Sequence, residues 1–211
     1  MATTLPAAKR PRRQAQPPVA VQFLHTLATI HASLQVTTRE GRTLVLSEGL
    51  ARGIATIKAC AQAGCKLIFI GNGGSAGIAS HQAVDYWKNG GLEAVAFNDA
   101  SLLTCISNDF GYERVFAEPI NRFGKPGDLL VAISSSGKSP NILQGVEAAR
   151  ARQCRIVTLS GFGATNPLRA LGDLNFYVPS PAYGIVEVTH LALLHAMLDE
   201  TIARRKMPRE C

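Results

Sequence analysis

Several things are absent from this 211-residue sequence, and each absence removes a class of protein. No apolar run approaches the roughly 18 residues that a membrane-spanning helix needs, so the sequence reads as a chain without a membrane span. The first eighteen residues contain Lys9, Arg10, Arg12 and Arg13 but no acid. They lack the apolar stretch of a secretory signal, which points to a basic disordered tail and a cytoplasmic protein. The five cysteines (Cys60, Cys65, Cys105, Cys154 and Cys211) are odd in number and nowhere spaced as CxxC. Small buried thiols fit that pattern better than a disulfide framework does. The single tryptophan, Trp87, and its neighbour Tyr86 read as core or interface residues. Nucleotide-binding fingerprints are missing too. There is no GxxxxGK[ST], and GxGxxG fails because residue 76 is alanine.

The body of the chain also lacks net charge. The formal balance is +7, but four basic residues lie in the first eighteen positions and four in the last eight, with Glu210 beside them. The remainder carries 14 basic and 14 acidic residues. A nucleic-acid-binding domain concentrates basic charge on a face or groove, so this distribution argues against a nucleic-acid partner.

What the sequence has is a change of period. Phe23, Leu24, Leu27 and Ile30 recur at helical steps, as do Leu44, Leu46, Leu50, Ile54 and Ile57. Two helices are expected there, with TTREGR as a break between them. The first helix is free to pack on a partner subunit. From residue 66 onward, short apolar runs at 66–70, 93–97, 128–134, 155–159 and 174–178 alternate with helical segments near 76–88, 101–108, 113–123, 141–152 and 165–171. A last helix is expected over 186–206. Strands continuous in apolar residues are covered on both faces. Their alternation with helices predicts an α/β fold, a doubly wound three-layer αβα sandwich with an N-terminal helical extension. One domain over 19–206 follows the tail at 1–18.

In such sheets ligands bind beyond the carboxyl ends of the strands. That rule nominates two loops. The first, GNGGS (Gly71, Asn72, Gly73, Gly74, Ser75), combines close-approach glycines with a helix start. The second is SSSGKS (134–139), in which Ser134, Ser135, Ser136 and Ser139 cluster around Gly137, with Pro140 suited to the first turn of a helix. A helix cap needs one such side chain, and four hydroxyls beside a helix N-terminus suit the oxygens of a phosphate.

GNGGS followed by His81 and Asp85, then ISSSGKSPN, resembles the sugar isomerase (SIS) domain family. Asn108-Asp109-Phe110-Gly111 and the Glu187…His190…His195 helix make the chain similar to the phosphoheptose isomerase branch over residues 20–203. The resemblance implies a five-stranded parallel sheet and a homotetramer with active sites between subunits. It implies an aldose–ketose isomerase that interconverts sedoheptulose 7-phosphate and D-glycero-D-manno-heptose 7-phosphate. It also implies Zn2+, or another divalent metal, bound by His81, Asp85, Glu187 and His195. Asp85 and His195 would be the catalytic acid/base pair, and the serine loop with Ser75 would hold the phosphate. Asn72, Gly73, Gly74, Asn98, Asp99 and Glu187 complete the expected substrate contacts, although for Asn98 and Asp99 a capping or turn role stands equally open.

The family usually has glutamate where this chain has Asp85, and glutamine where it has Glu187. The segment VPSPAYGIVE is one residue shorter than usual and lacks an upstream arginine. Two alternatives follow, a related seven- or eight-carbon sugar phosphate as substrate and a non-catalytic phosphosugar-binding regulator.

Isomerisation needs a base beside a carbonyl, an acid to return the proton, and stabilisation of the enediolate between them. A carboxylate, an imidazole and a divalent cation supply these. His81 and Asp85 are i, i+4 and share a helix face. Glu187 and His195 are i, i+8, about 12 Å apart along an ideal helix, a long reach for two ligands of one ion. His190 points elsewhere and is expected to be a packing histidine.

Overall fold

The structure, a computed structural model, describes residues 17–206; the basic cluster at 9–13 and Cys211 lie outside the described residues. The chain begins with α1 (Val19–Thr29), none of whose residues is buried. The expected break that follows is a β-hairpin. β1 (Gln35–Thr38) and β2 (Thr43–Leu44) pair antiparallel, with Val36 opposite Leu44 and Gly41 in the turn at φ +81°. Leu44 therefore belongs to a strand rather than to the helix its spacing predicted. Helical spacing carried too little information here, because Val36, Thr38 and Leu44 point inward from strands of only four and two residues.

After α2 (Leu46–Gln62) come the strands and helices of the sandwich. These are β3 (Leu67–Gly71), α3 (Gly74–Lys88), β4 (Ala94–Ala96), α4 (Ala100–Phe110), α5 (Ala117–Phe123), β5 (Leu129–Ser134) and α6 (Pro140–Ala151). β6 (Arg155–Ser160), β7 (Leu174–Tyr177) and α7 (Tyr183–Lys206) complete the chain. The segment expected to be helical near 165–171 holds only a short 3-10 turn, Pro167–Ala170. No helix among the described residues is long and apolar enough to cross a membrane.

The five expected strands pair in parallel in the order β7-β6-β5-β3-β4. β1 adds antiparallel to the β7 edge, with Val36 opposite Phe176. The sheet thus has seven strands, of which the parallel five form the α/β core.

Strand alternation divides that core into two. Leu67, Phe69, Leu129, Val131 and Ile133 pack with Ile57 of α2, Tyr86 of α3 and Leu194 of α7. Ile68, Ile70, Leu130 and Ala132 pack on the other face with Ile106 of α4, Ile120 of α5 and Val146 of α6. Tyr86 also donates its hydroxyl to the Leu194 carbonyl at 3.0 Å, fixing α3 against α7 within one turn of the later site. Cys60 and Cys154 are buried free thiols, and desolvation pushes them up to about 12 and about 11, so neither is a thiolate at neutral pH.

β3 and β5 are neighbours whose following connections run to opposite sides of the sheet. Their loops therefore face each other across the topological switch point, where a doubly wound sheet opens a crevice.

Candidate functional site

The first loop gets its shape from Gly73, at φ +54° and ψ −122°, a conformation that side chains disfavour. It delivers the chain directly into α3, so the free N–H groups of the first turn face the crevice. In the second loop Gly137 sits at φ +62°, and a Cβ there would run into the Asn166 side chain. Ser134 Oγ accepts from the Gly137 N–H at 3.1 Å, and Ser136 Oγ accepts from the Lys138 N–H at 3.3 Å. Ser139 stands at the N-cap of α6 but makes no side-chain capping bond, and Pro140 opens the helix. The Ser135 hydroxyl is buried with no hydrogen-bond partner. Two serines of this loop shape it, while Ser135 and Ser139 are left free to bind.

A reciprocal amide pair ties the loops together. Asn72 Nδ2 donates to Asn141 Oδ1, and Asn141 Nδ2 donates to Asn72 Oδ1, both at 2.9 Å. Between the loops lies a cavity of about 250 Å³, lined by Asn72, Gly73, Gly74, Ser75, the four serines of the second loop, Tyr183 and Glu187. Two helix N-termini and several hydroxyls around one cavity make an anion cradle.

Six residues further along α3, a second group assembles. His81 Nε2 lies 3.2 Å from Asp85 Oδ2, and His195 Nδ1, arriving from α7, lies 3.7 Å from the same oxygen. The two imidazoles meet edge to face with centroids 5.3 Å apart. Asp85 Oδ1 accepts from Asn89 Nδ2 at 3.2 Å, which fixes the plane of the carboxylate. One ligand atom from each of His81, Asp85 and His195 falls within 4.8 Å of the other two. Two imidazole nitrogens and a carboxylate oxygen gathered so closely suit a divalent cation of the zinc type, which leaves a further position open in catalytic sites.

Glu187 is not in this group. It lies two turns from His195, and its carboxylate packs over Gly74 in the cavity wall, where a Cβ on that glycine would collide with it. Asn98 and Asp99 do not line the cavity. Asn98 donates to the Ala76 carbonyl and to Ser80 Oγ, and Asp99 Oδ1 accepts from the Leu102 N–H as the cap of α4.

His190 is wholly buried, with Nε2 3.1 Å from the Ser160 carbonyl, and it stands apart from the group. Burial lowers its pKa to about 4, so it is neutral at pH 7 and Nε2 carries the proton that Ser160 accepts. In the unfolded chain the same imidazole titrates near 6.5. The unfolded state therefore binds more protons between those values, and stability is lost as the pH falls from about 6.5 to about 4. His190→Gln keeps a donor for Ser160 and removes that titration. Its urea midpoint should fall less than the parent's across this window, the parental excess being on the order of 3 kcal/mol. Parallel curves for the two proteins would contradict the assignment.

Three features of the site escaped the sequence. Tyr183 lines the cavity from the start of α7. Asn141 was legible only as a helix-start residue. Gln82 follows His81 and reaches His195; no spacing rule marks it.

Comparison with known proteins identifies the family and the fold. Residues 32–161 match the SIS domain family. A phosphoheptose isomerase of Shewanella sp. (strain ANA-3) is 36% identical over 173 residues, covering 78% of this chain and 87% of the relative. A phosphoheptose isomerase of Shewanella baltica (strain OS155) matches to the same extent. Among solved structures, phosphoheptose isomerase from Neisseria gonorrhoeae superposes with a TM-score of 0.77 at 30% identity, covering 88% of this chain and 97% of that one. A phosphoheptose isomerase from Francisella tularensis shares the fold, with a TM-score of 0.75 at 24% identity over 88% and 96% of the two chains.

Proposed function

Since this chain belongs to the SIS domain family, in its phosphoheptose isomerase branch, we propose that it is a sugar-phosphate isomerase. Its reaction is the interconversion of sedoheptulose 7-phosphate and D-glycero-D-manno-heptose 7-phosphate. The observation that carries the proposal is a serine- and glycine-lined anion cradle joined by a single helix to the His81, Asp85 and His195 group.

The substrate phosphate enters the cradle, where the N-termini of α3 and α6 and the hydroxyls of Ser75, Ser135 and Ser139 donate to its oxygens. Ser75 and His81 lie six residues apart on α3, about 9 Å along the axis. A sugar held by its phosphate must reach that far to react, which favours a long carbon chain over a triose.

The Asp85 carboxylate removes the proton from the carbon beside the carbonyl and returns it to the neighbouring carbon. A second proton passes between the two substrate oxygens beside His195, so the aldose and the ketose differ only in where two hydrogens sit. Zn2+ or another divalent metal held by His81, Asp85 and His195 would polarise the substrate oxygens and offset the charge of the enediolate. Glu187, at the cavity wall, is positioned to accept from a sugar hydroxyl rather than to act as a fourth ligand. The shorter carboxylate of Asp85 still reaches His81, and this supports catalysis over a purely regulatory role. Incubating the protein with sedoheptulose 7-phosphate and Zn2+ and following the aldose by NMR tests the proposal. Absence of product with metal-loaded protein would overturn it.

Self-association belongs to the same proposal. α1 buries none of its residues, and Val84, Trp87, Tyr112 and Phe123 are exposed. An apolar groove between α1, α2 and α7, lined by Leu27, Ile30, Leu46, Leu50 and Ala192, runs along the same face of the protein as α1. A homotetramer with sites at subunit contacts would cover these surfaces. Sedimentation equilibrium should give four times the chain mass; a monomer mass would overturn this part. A water-soluble phosphosugar substrate suits a cytoplasmic location.

A further inference from the structure

The buried face of α3 carries Ile78, Ala79, Ala83 and Tyr86, and among them stands Gln82 with no exposed surface at all. Its amide nitrogen lies 3.1 Å from His195 Nε2, and its amide oxygen is buried with no partner. A buried amide is costly unless it is used. The ring it touches offers its other nitrogen, Nδ1, to Asp85.

A neutral imidazole has one proton, so whatever faces Nε2 decides what Nδ1 can do. If an N–H of the amide donates to Nε2, the proton sits on Nδ1 and points at Asp85, and Nδ1 has no lone pair to give. If the amide is turned by 180°, Oε1 accepts from Nε2–H, and the Nδ1 lone pair faces Asp85 and His81. Amide oxygen and nitrogen occupy the same space, and the network around them determines which is which.

We propose that Gln82 is the positioning residue for His195. Its amide oxygen accepts the Nε2 proton, holding the tautomer in which Nδ1 presents its lone pair to the His81 and Asp85 side of the group. The inference rests on the metal-assisted reading above, because that reading is what requires a lone pair on Nδ1. It assigns a role to a residue that touches neither substrate nor metal. The same contact holds the imidazole plane of a histidine that is otherwise half-exposed.

The test uses the full chain, with Zn2+ alone as probe. Zn2+ affinity is measured by competition with a chromophoric chelator for the parent, Gln82→Leu and Gln82→Glu. Loss of a supporting hydrogen bond to a ligating histidine weakens metal binding roughly 10- to 100-fold, and this is expected for Gln82→Leu. Gln82→Glu, which keeps an acceptor oxygen, should bind at least as tightly as the parent. In parallel, nitrogen-15 NMR of the histidine-labelled, zinc-loaded parent should show His195 protonated at Nε2, a readout that a purely structural role would not fix. Equal Zn2+ affinity in Gln82→Leu and the parent, or a proton on Nδ1 in the loaded parent, overturns the inference and leaves the metal reading standing. A parent protein that binds no Zn2+ overturns both.

Discussion

Asp85→Asn is expected to lower kcat by roughly 100- to 10,000-fold, the range a positioned acid/base group contributes, with little change in KM. The substitution preserves size and the bond to Asn89, yet it removes the lone pairs and charge that make Oδ2 the meeting point of His81 and His195. Measuring at saturating Zn2+ separates lost base from lost metal. Asp85→Glu restores the residue usual in the family but lengthens a side chain that already stands 3.2 Å from its histidine. Displacing the carboxylate by about 1 Å should cost up to about 100-fold, so this variant should fall between the parent and Asp85→Asn. A kcat for Asp85→Asn within a few fold of the parent would remove Asp85 from the chemistry.

Gly137→Ala is expected to act on the other half of the site. Its Cβ would collide with Asn166, whose Oδ1 accepts from the Arg169 N–H and whose Nδ2 donates to the Gly161 and Gly163 carbonyls. The residue also sits at φ +62°, where alanine is strained. Relief requires the serine loop to shift, and the cradle then loses the aim of Ser135 and Ser139. A rise in KM of about 10-fold or more, equivalent to at least about 1.4 kcal/mol of binding, should accompany a lower melting temperature. The same rise should appear as weaker competition by inorganic phosphate, which probes the cradle without the sugar. Unchanged phosphate affinity would place the anion elsewhere.

Much of this site is written in local sequence, and the remainder depends on contacts that no local pattern carries. The five parallel strands were legible because residues such as Leu67 to Ile70 are apolar on both faces, and only a strand between two helical layers uses such a run. The hairpin at 35–44 was not, since four residues of Gln-Val-Thr-Thr say little until β7 supplies a partner edge. The two loops were visible as loops, but the Asn72–Asn141 pair that joins them spans 69 residues. The doubt about Glu187 was also legible, because two turns of regular helix separate it from His195, and the structure keeps them apart. Asn98 and Asp99 sit at a strand end, where ligand contact and capping look alike in sequence; here they tie α3 and cap α4. Gln82 was invisible because a glutamine beside a histidine on a helix reads as surface. Only its complete burial against α7 reveals its contact with His195.

The central claim is that one helix joins a phosphate cradle to a metal-assisted carboxylate base, Asp85, that acts on a seven-carbon sugar. The most direct measurement is the NMR time course of sedoheptulose 7-phosphate with Zn2+-loaded protein in deuterated water. Appearance of the heptose 7-phosphate aldose, with deuterium at the former carbonyl carbon to which Asp85 returns the proton, is the predicted result. Unchanged ketose without deuterium uptake, from a folded protein with Zn2+ bound, would contradict it.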